Sequence, residues 1–201
     1  MFDLTLQIVL FRLAGLLAIA GVHGAALAGS ARLLGDPGPA YDGRLTLNPL
    51  PHLDLVGGIG VAFFRLGWVK PVAIDPAMLK AGRAGLALAA LAGLAAVLLL
   101  AIALRAARQP LLMASTGNLA LGGVALLDIA ADLSLWFVIF NLIPVPPLTG
   151  GLFLQAVAPR AAALLARYRA GVIAALAAFV ASGWAFRVLH PGNDLLAALF
   201  G

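Results

Sequence analysis

Four apolar runs, residues 4–28, 84–104, 119–143 and 171–189, hold 25, 21, 25 and 19 residues. A helix needs about 20 apolar residues to cross the roughly 30 Å hydrocarbon core of a bilayer. Each run is therefore long enough, or nearly so, to span a membrane unaided. Apolar residues make up 63% of the 201 positions and charged residues 10%, with a mean hydropathy of +1.07. These values lie far outside the range of soluble domains and identify an integral membrane protein. A fifth run, residues 53–66, has 14 residues and carries Gly57, Gly58 and Gly60. It is too short to cross alone and reads as a re-entrant segment or a short helix buried in the bundle. The expected fold is a single all-α membrane domain over residues 1–201, with four to six transmembrane or re-entrant segments.

Charge narrows the partners. The formal net charge is +5 and the pI about 10.8, values that could suit a nucleic acid. The 13 basic residues are instead scattered through the loops, without basic runs or interleaved aromatics. They suit lipid phosphates, and no nucleic-acid partner is expected. Their distribution favours an arrangement in which residues 53–66 do not cross and both termini lie outside. The first run is too long for the apolar part of a signal peptide, and its leading charge is Asp3. The chain has no cysteine, which excludes disulfides, thiolate ligands and a cysteine nucleophile.

Chemistry concentrates where the third spanning run ends. Residues 141–151 read Asn-Leu-Ile-Pro-Val-Pro-Pro-Leu-Thr-Gly-Gly. Pro144, Pro146 and Pro147 cannot continue a helix, because proline lacks the N–H and clashes with the preceding turn. Broken backbone at membrane depth is tolerated only where protein or a watery cavity satisfies it. The stretch resembles the Asn-Pro-Asp-Gly loop of the site-2 protease family, the intramembrane zinc metalloproteases, with Thr149 where the family's aspartate ligates zinc. Three further blocks carry the same resemblance. Residues 43–54 read Gly-Arg-Leu-Thr-Leu-Asn-Pro-Leu-Pro-His-Leu-Asp, and residues 67–72 read Gly-Trp-Val-Lys-Pro-Val. Counting back from Gly35-Asp36 aligns the family's His-Glu-x-x-His with His23, Gly24 and Leu27. Where the family has Ala-Gly-Pro-x-x-Asn, this chain has Ala92, Gly93 and Val97. The resemblance implies a site-2 protease-like core with a short strand-bearing re-entrant loop over Leu45 and Leu47.

It also implies a site stripped of its chemistry. Of two histidines, a glutamate base and an aspartate, only His23 remains, and the chain contains no glutamate at all. The expected function is that of a pseudoprotease without catalytic residues or cofactor. Such a protein would bind transmembrane helices as an accessory or assembly subunit of a larger membrane complex, in a bacterial inner membrane. Its partners would be other integral membrane proteins and the lipid bilayer. An active metalloprotease with unusual zinc ligands is the first alternative. A lipid- or small-molecule-binding protein that reuses the old cavity is the second. Restoring Gly24→Glu, Leu27→His and Thr149→Asp together would be expected to restore zinc binding.

Other residues admit two readings each. His23 is either a relic ligand, even one joined to Asp128 or Asp132, or an interhelical hydrogen-bonding residue. Asp128 and Asp132 share a helix face within an apolar run, and Arg12 is their natural counter-charge. Asn141 could hold a client's backbone or cap the broken helix. Gly93, Gly150, Gly151 and the three prolines are candidates for a surface against which a foreign helix packs. His52 and Asp54 form a His-x-Asp pair better suited to bracing the loop than to binding metal.

Overall fold

The structure is a computed structural model that describes residues 4–200; Asp3 lies outside them. Three long helices form the frame: α1 (Leu6–Leu34), α4 (Arg83–Ala106) and α6 (Gly117–Asn141). Thr5 caps α1 by accepting from the Ile8 N–H, and Gly35 ends it in the left-handed conformation at φ 119°. Helices without a hydrophobic reward for pairing in lipid associate through close packing. Here Gly15 lets α1 approach α6 so closely that a Cβ would stand 3.2 Å from the Ala130 Cα. Leu16, Ile19, Leu94, Val97, Leu133 and Phe137 fill the space between the three.

Two short helices, α2 (Gly38–Tyr41) and α3 (Leu55–Phe64), precede α4. Within residues 53–66, α3 packs against α1 and is too short to cross a bilayer. The ten residues of α3 cover roughly 15 Å at 1.5 Å per residue, half the hydrocarbon thickness. The chain then folds back on α3, where a Cβ on Gly57 would meet the Trp68 carbonyl at 2.1 Å. The excursion closes where it began, with the Lys70 N–H donating to the His52 carbonyl at 2.7 Å. Asp54 starts α3 by accepting from the Gly57 N–H at 2.9 Å.

The expected strand over Leu45 and Leu47 does not form, and no β-strand occurs among the described residues. The local polar groups are satisfied otherwise. The Arg44 guanidinium donates to the carbonyls of Pro51, Lys70 and Pro71. Asn48 accepts from the Leu50 N–H, and a 3-10 turn follows over Leu50–His52. With its surrounding carbonyls taken by a side chain, the segment finds no edge to pair with as a second strand.

The intramembrane charges pair differently from expectation. Arg12 is buried and donates to the carbonyls of Ala62 and Phe63, at 3.0 and 3.3 Å. These belong to the C-terminal turn of α3, where carbonyls lack intrahelical donors. Asp132 instead meets Arg65 at 3.6 Å and Asp128 meets Arg108 at 3.1 Å, both pairs close to half exposed. Arg12→Ala should therefore lower stability in mild detergent by about 2–3 kcal/mol, the cost of buried carbonyls left without a donor. Asp132→Asn should cost less than Arg12→Ala, because its 3.6 Å separation from Arg65 is longer than a close charge-assisted hydrogen bond. Equal losses in the two variants would restore the Arg12–Asp132 pairing.

Five shorter helices complete the chain. α5 (Arg108–Ala114) follows α4, while α7 (Gly150–Val157), α8 (Pro159–Arg167), α9 (Arg169–Ala181) and α10 (Trp184–Phe200) follow the break after α6. The fourth spanning run is not one helix. It divides between α9 and α10 at Gly183, whose φ of 77° suits glycine. Helices α8 and α9 bend by 87° at Tyr168, so the described residues hold three helices able to span a membrane, or four if that bent pair counts as one.

Candidate functional site

His23, Gly24, Leu27 and Thr149 surround one buried point. α1 carries the first three within about one turn, and the break after α6 delivers the fourth. The His23 Nε2 and the Thr149 Oγ1 are hydrogen-bonded to each other at 3.0 Å. His23 is 1% exposed and packs edge-on to the Phe137 ring, with centroids 5.2 Å apart. Leu27 and His23 both close over Gly93, where a Cβ would stand 2.9 Å from Leu27 Cγ and 3.2 Å from His23 Nε2. Gly93 is thus taken up by packing inside the bundle rather than by an outer face.

The space above Gly24 is filled by the His52 ring. A Cβ on residue 24 would lie 2.0 Å from His52 Nδ1 and 2.3 Å from Cε1. His52 is fully buried, and its Nε2 lies 3.0 Å from the Thr46 carbonyl. That contact makes Nε2 the protonated nitrogen of a neutral ring, since a carbonyl only accepts. Burial holds the imidazole below its ordinary range, with nearby Arg44 adding to the effect and the Thr46 bond opposing it. The sequence assigns His52 and Asp54 to bracing the loop. It gives no sign that the brace rests on α1 at the position of the family's glutamate, because nothing local links residue 52 to residue 24.

Asn141 is turned inward. Its Nδ2 donates to the carbonyls of Gly67 and Phe137 at 3.0 and 2.9 Å, and its Oδ1 accepts from the Thr149 N–H at 3.4 Å. It therefore caps the broken helix and ties the re-entrant segment to the loop. Gly150 allows the tight return of the chain, since a Cβ there would stand 2.1 Å from the Ile143 carbonyl. Gly151 faces Pro146, whose nitrogen would lie 3.0 Å from a Cβ at residue 151, and the Pro146–Pro147 bond is cis. Pro144 lies in the same turn. These residues shape the loop from within.

A zinc ion does not fit this donor set. Hydrolytic zinc needs three protein ligands and an open position. The family positions here offer one imidazole, one hydrocarbon side chain and one neutral hydroxyl already bonded to that imidazole. Asp128 and Asp132 are committed to arginines instead. Among the described residues no three His, Cys, Asp or Glu side chains cluster as metal ligands.

Beside the His23–Thr149 pair is a cavity of about 340 Å³, walled by α1, residues 69–72, the proline loop, α7 and α8. Leu27, Leu148 and Leu152 give it an apolar interior, and Lys70 and Gln155 are the long polar side chains on its wall.

No protein-family model matches the chain, and no solved structure matches it. A curated relative does. Over 191 aligned residues, 89% of this chain and 85% of the relative, it is 30% identical to a Bacillus subtilis (strain 168) protein named "Putative zinc metalloprotease YwhC". With the motifs at residues 43–54, 67–72 and 141–151 arranged about one buried site, the chain belongs to that protein's family, the site-2 protease-like zinc metalloproteases.

Proposed function

We propose that this chain is a non-catalytic member of its family, a pseudoprotease of a bacterial inner membrane that acts by holding another integral membrane protein. The observation that carries the loss of catalysis is the direct bond between His23 and Thr149. It joins two former ligand positions to each other, with leucine at the third. The base position supports the same reading, because Gly24 has no side chain and His52 occupies the space a glutamate would need.

The partner role rests on the frame that remains. Three spanning helices keep large apolar side chains such as Leu10, Leu99 and Leu121 on their outer faces. In lipid, van der Waals packing and interhelical hydrogen bonds drive association at such faces. A client would dock there as an intact helix, side by side with the spanning helices. The test is purification from native membranes after gentle crosslinking, followed by co-reconstitution with the captured protein and zinc. An intact, enriched membrane protein is the expected result. Cleavage of the captured protein would overturn the non-catalytic reading, and recovery of the chain alone would overturn the partner role.

A further inference from the structure

We propose that the cavity beside His23 and Thr149 binds the tail of a single-chain anionic amphiphile, a fatty-acid carboxylate, with its head group at Lys70. This inference is independent of whether the chain cuts proteins. A volume of about 340 Å³ lies at the lower end of the roughly 300–1,000 Å³ typical of small-ligand pockets.

The lining decides the ligand's chemistry. Lys70 is the one side chain in it that carries a fixed charge, and no acidic side chain is present to balance that charge. Lys70 makes no ion pair among the described residues, and the Gln155 amide makes no hydrogen bond there. The backbone of residue 70 is nonetheless fixed at both ends, by the His52 carbonyl on its N–H and by Arg44 on its carbonyl. A free ammonium is thus carried by an exposed side chain whose backbone is fixed in the wall of an apolar cavity. An anionic head group satisfies it, with the Gln155 amide as a second donor. Placing the charge at Lys70 leaves the tail to lie along Leu148 and Leu152 towards His23.

The same walls disfavour an extended peptide. Peptides that bind as an added strand need a row of free main-chain donors and acceptors. Pro71, Pro146, Pro147 and Pro159 line the cavity and have no N–H to give. The carbonyls of Lys70 and Pro71 are already taken by Arg44. A hydrocarbon tail requires none of these groups.

The full chain in nanodiscs would be labelled with a dodecanoic acid carrying a terminal photoreactive diazirine, and the adduct mapped by mass spectrometry. The label should fall at the inner end of the cavity, on His23, Leu27 or residues 148–152, and be displaced by unlabelled dodecanoate. Dodecanol, which lacks the charge, should compete about tenfold less well, equivalent to about 1.4 kcal/mol. Lys70→Gln, a change at an exposed side chain, should weaken dodecanoate by a similar factor, and Ala163→Phe should abolish labelling by filling the cavity. Equal competition by dodecanol, or full affinity in Lys70→Gln, would overturn the head-group assignment. Labelling confined to the outer faces of α1 and α4, or displaced better by an apolar transmembrane peptide, would overturn the site itself.

Discussion

Glutamate at position 24 should dislodge the His52 loop rather than rebuild a catalytic centre. The new Cβ alone would stand 2.0 Å from the His52 ring, and overpacking of this kind costs about 1–3 kcal/mol. The carboxylate would add several kcal/mol more, because it would be buried without a counter-charge. A total loss of about 4 kcal/mol is expected, against about 1–3 kcal/mol for Gly24→Ala. The triple variant Gly24→Glu, Leu27→His and Thr149→Asp should consequently fail to bind zinc while His52 remains. Adding His52→Gly removes the obstruction, and this quadruple variant is the one expected to gain about one zinc per chain once three ligands are present. Thermal unfolding and metal analysis of the series check both statements. Unimpaired folding of Gly24→Glu would mean that the ring moves aside at little cost.

Arg44→Met should be the most damaging change outside the spanning helices. One guanidinium serves three carbonyls, those of Pro51, Lys70 and Pro71, and joins the start of the re-entrant excursion to its end. Each buried acceptor left without a donor costs about 1–3 kcal/mol, so a loss of about 3 kcal/mol or more is expected. The damage should be local before it is global. Residues 44–54 and 66–72 should gain hydrogen exchange, while α1, α4 and α6 stay protected. Loss of protection throughout the three helices at once would show that the loop and the frame unfold as one unit.

The frame is legible in the sequence because membrane helices leave a direct mark, long apolar runs whose length is fixed by the bilayer. The meeting of His23 with Thr149 is legible too, through motifs that lie 126 residues apart in the chain. Three features are not. The division of the last apolar run at Gly183 depends on one left-handed residue, which hydropathy does not register. Alternation suggests a strand over Leu45 and Leu47, but a strand needs a partner edge, and Arg44 occupies the nearby carbonyls. Charge alone matches Arg12 to the aspartates, whereas the end of α3 presents it with unsatisfied carbonyls and Arg65 takes Asp132. In each case the outcome depends on tertiary geometry that local pattern does not name.

The proposed loss of the zinc site is tested most directly by the zinc content of the unmodified protein. Chain purified without chelators from zinc-supplemented cells would be measured alongside a His23→Ala variant. Far less than one zinc per chain is expected, with no difference between the two, because one imidazole and a neutral hydroxyl cannot supply three ligands. One tightly held zinc per chain, lost in His23→Ala, would contradict it.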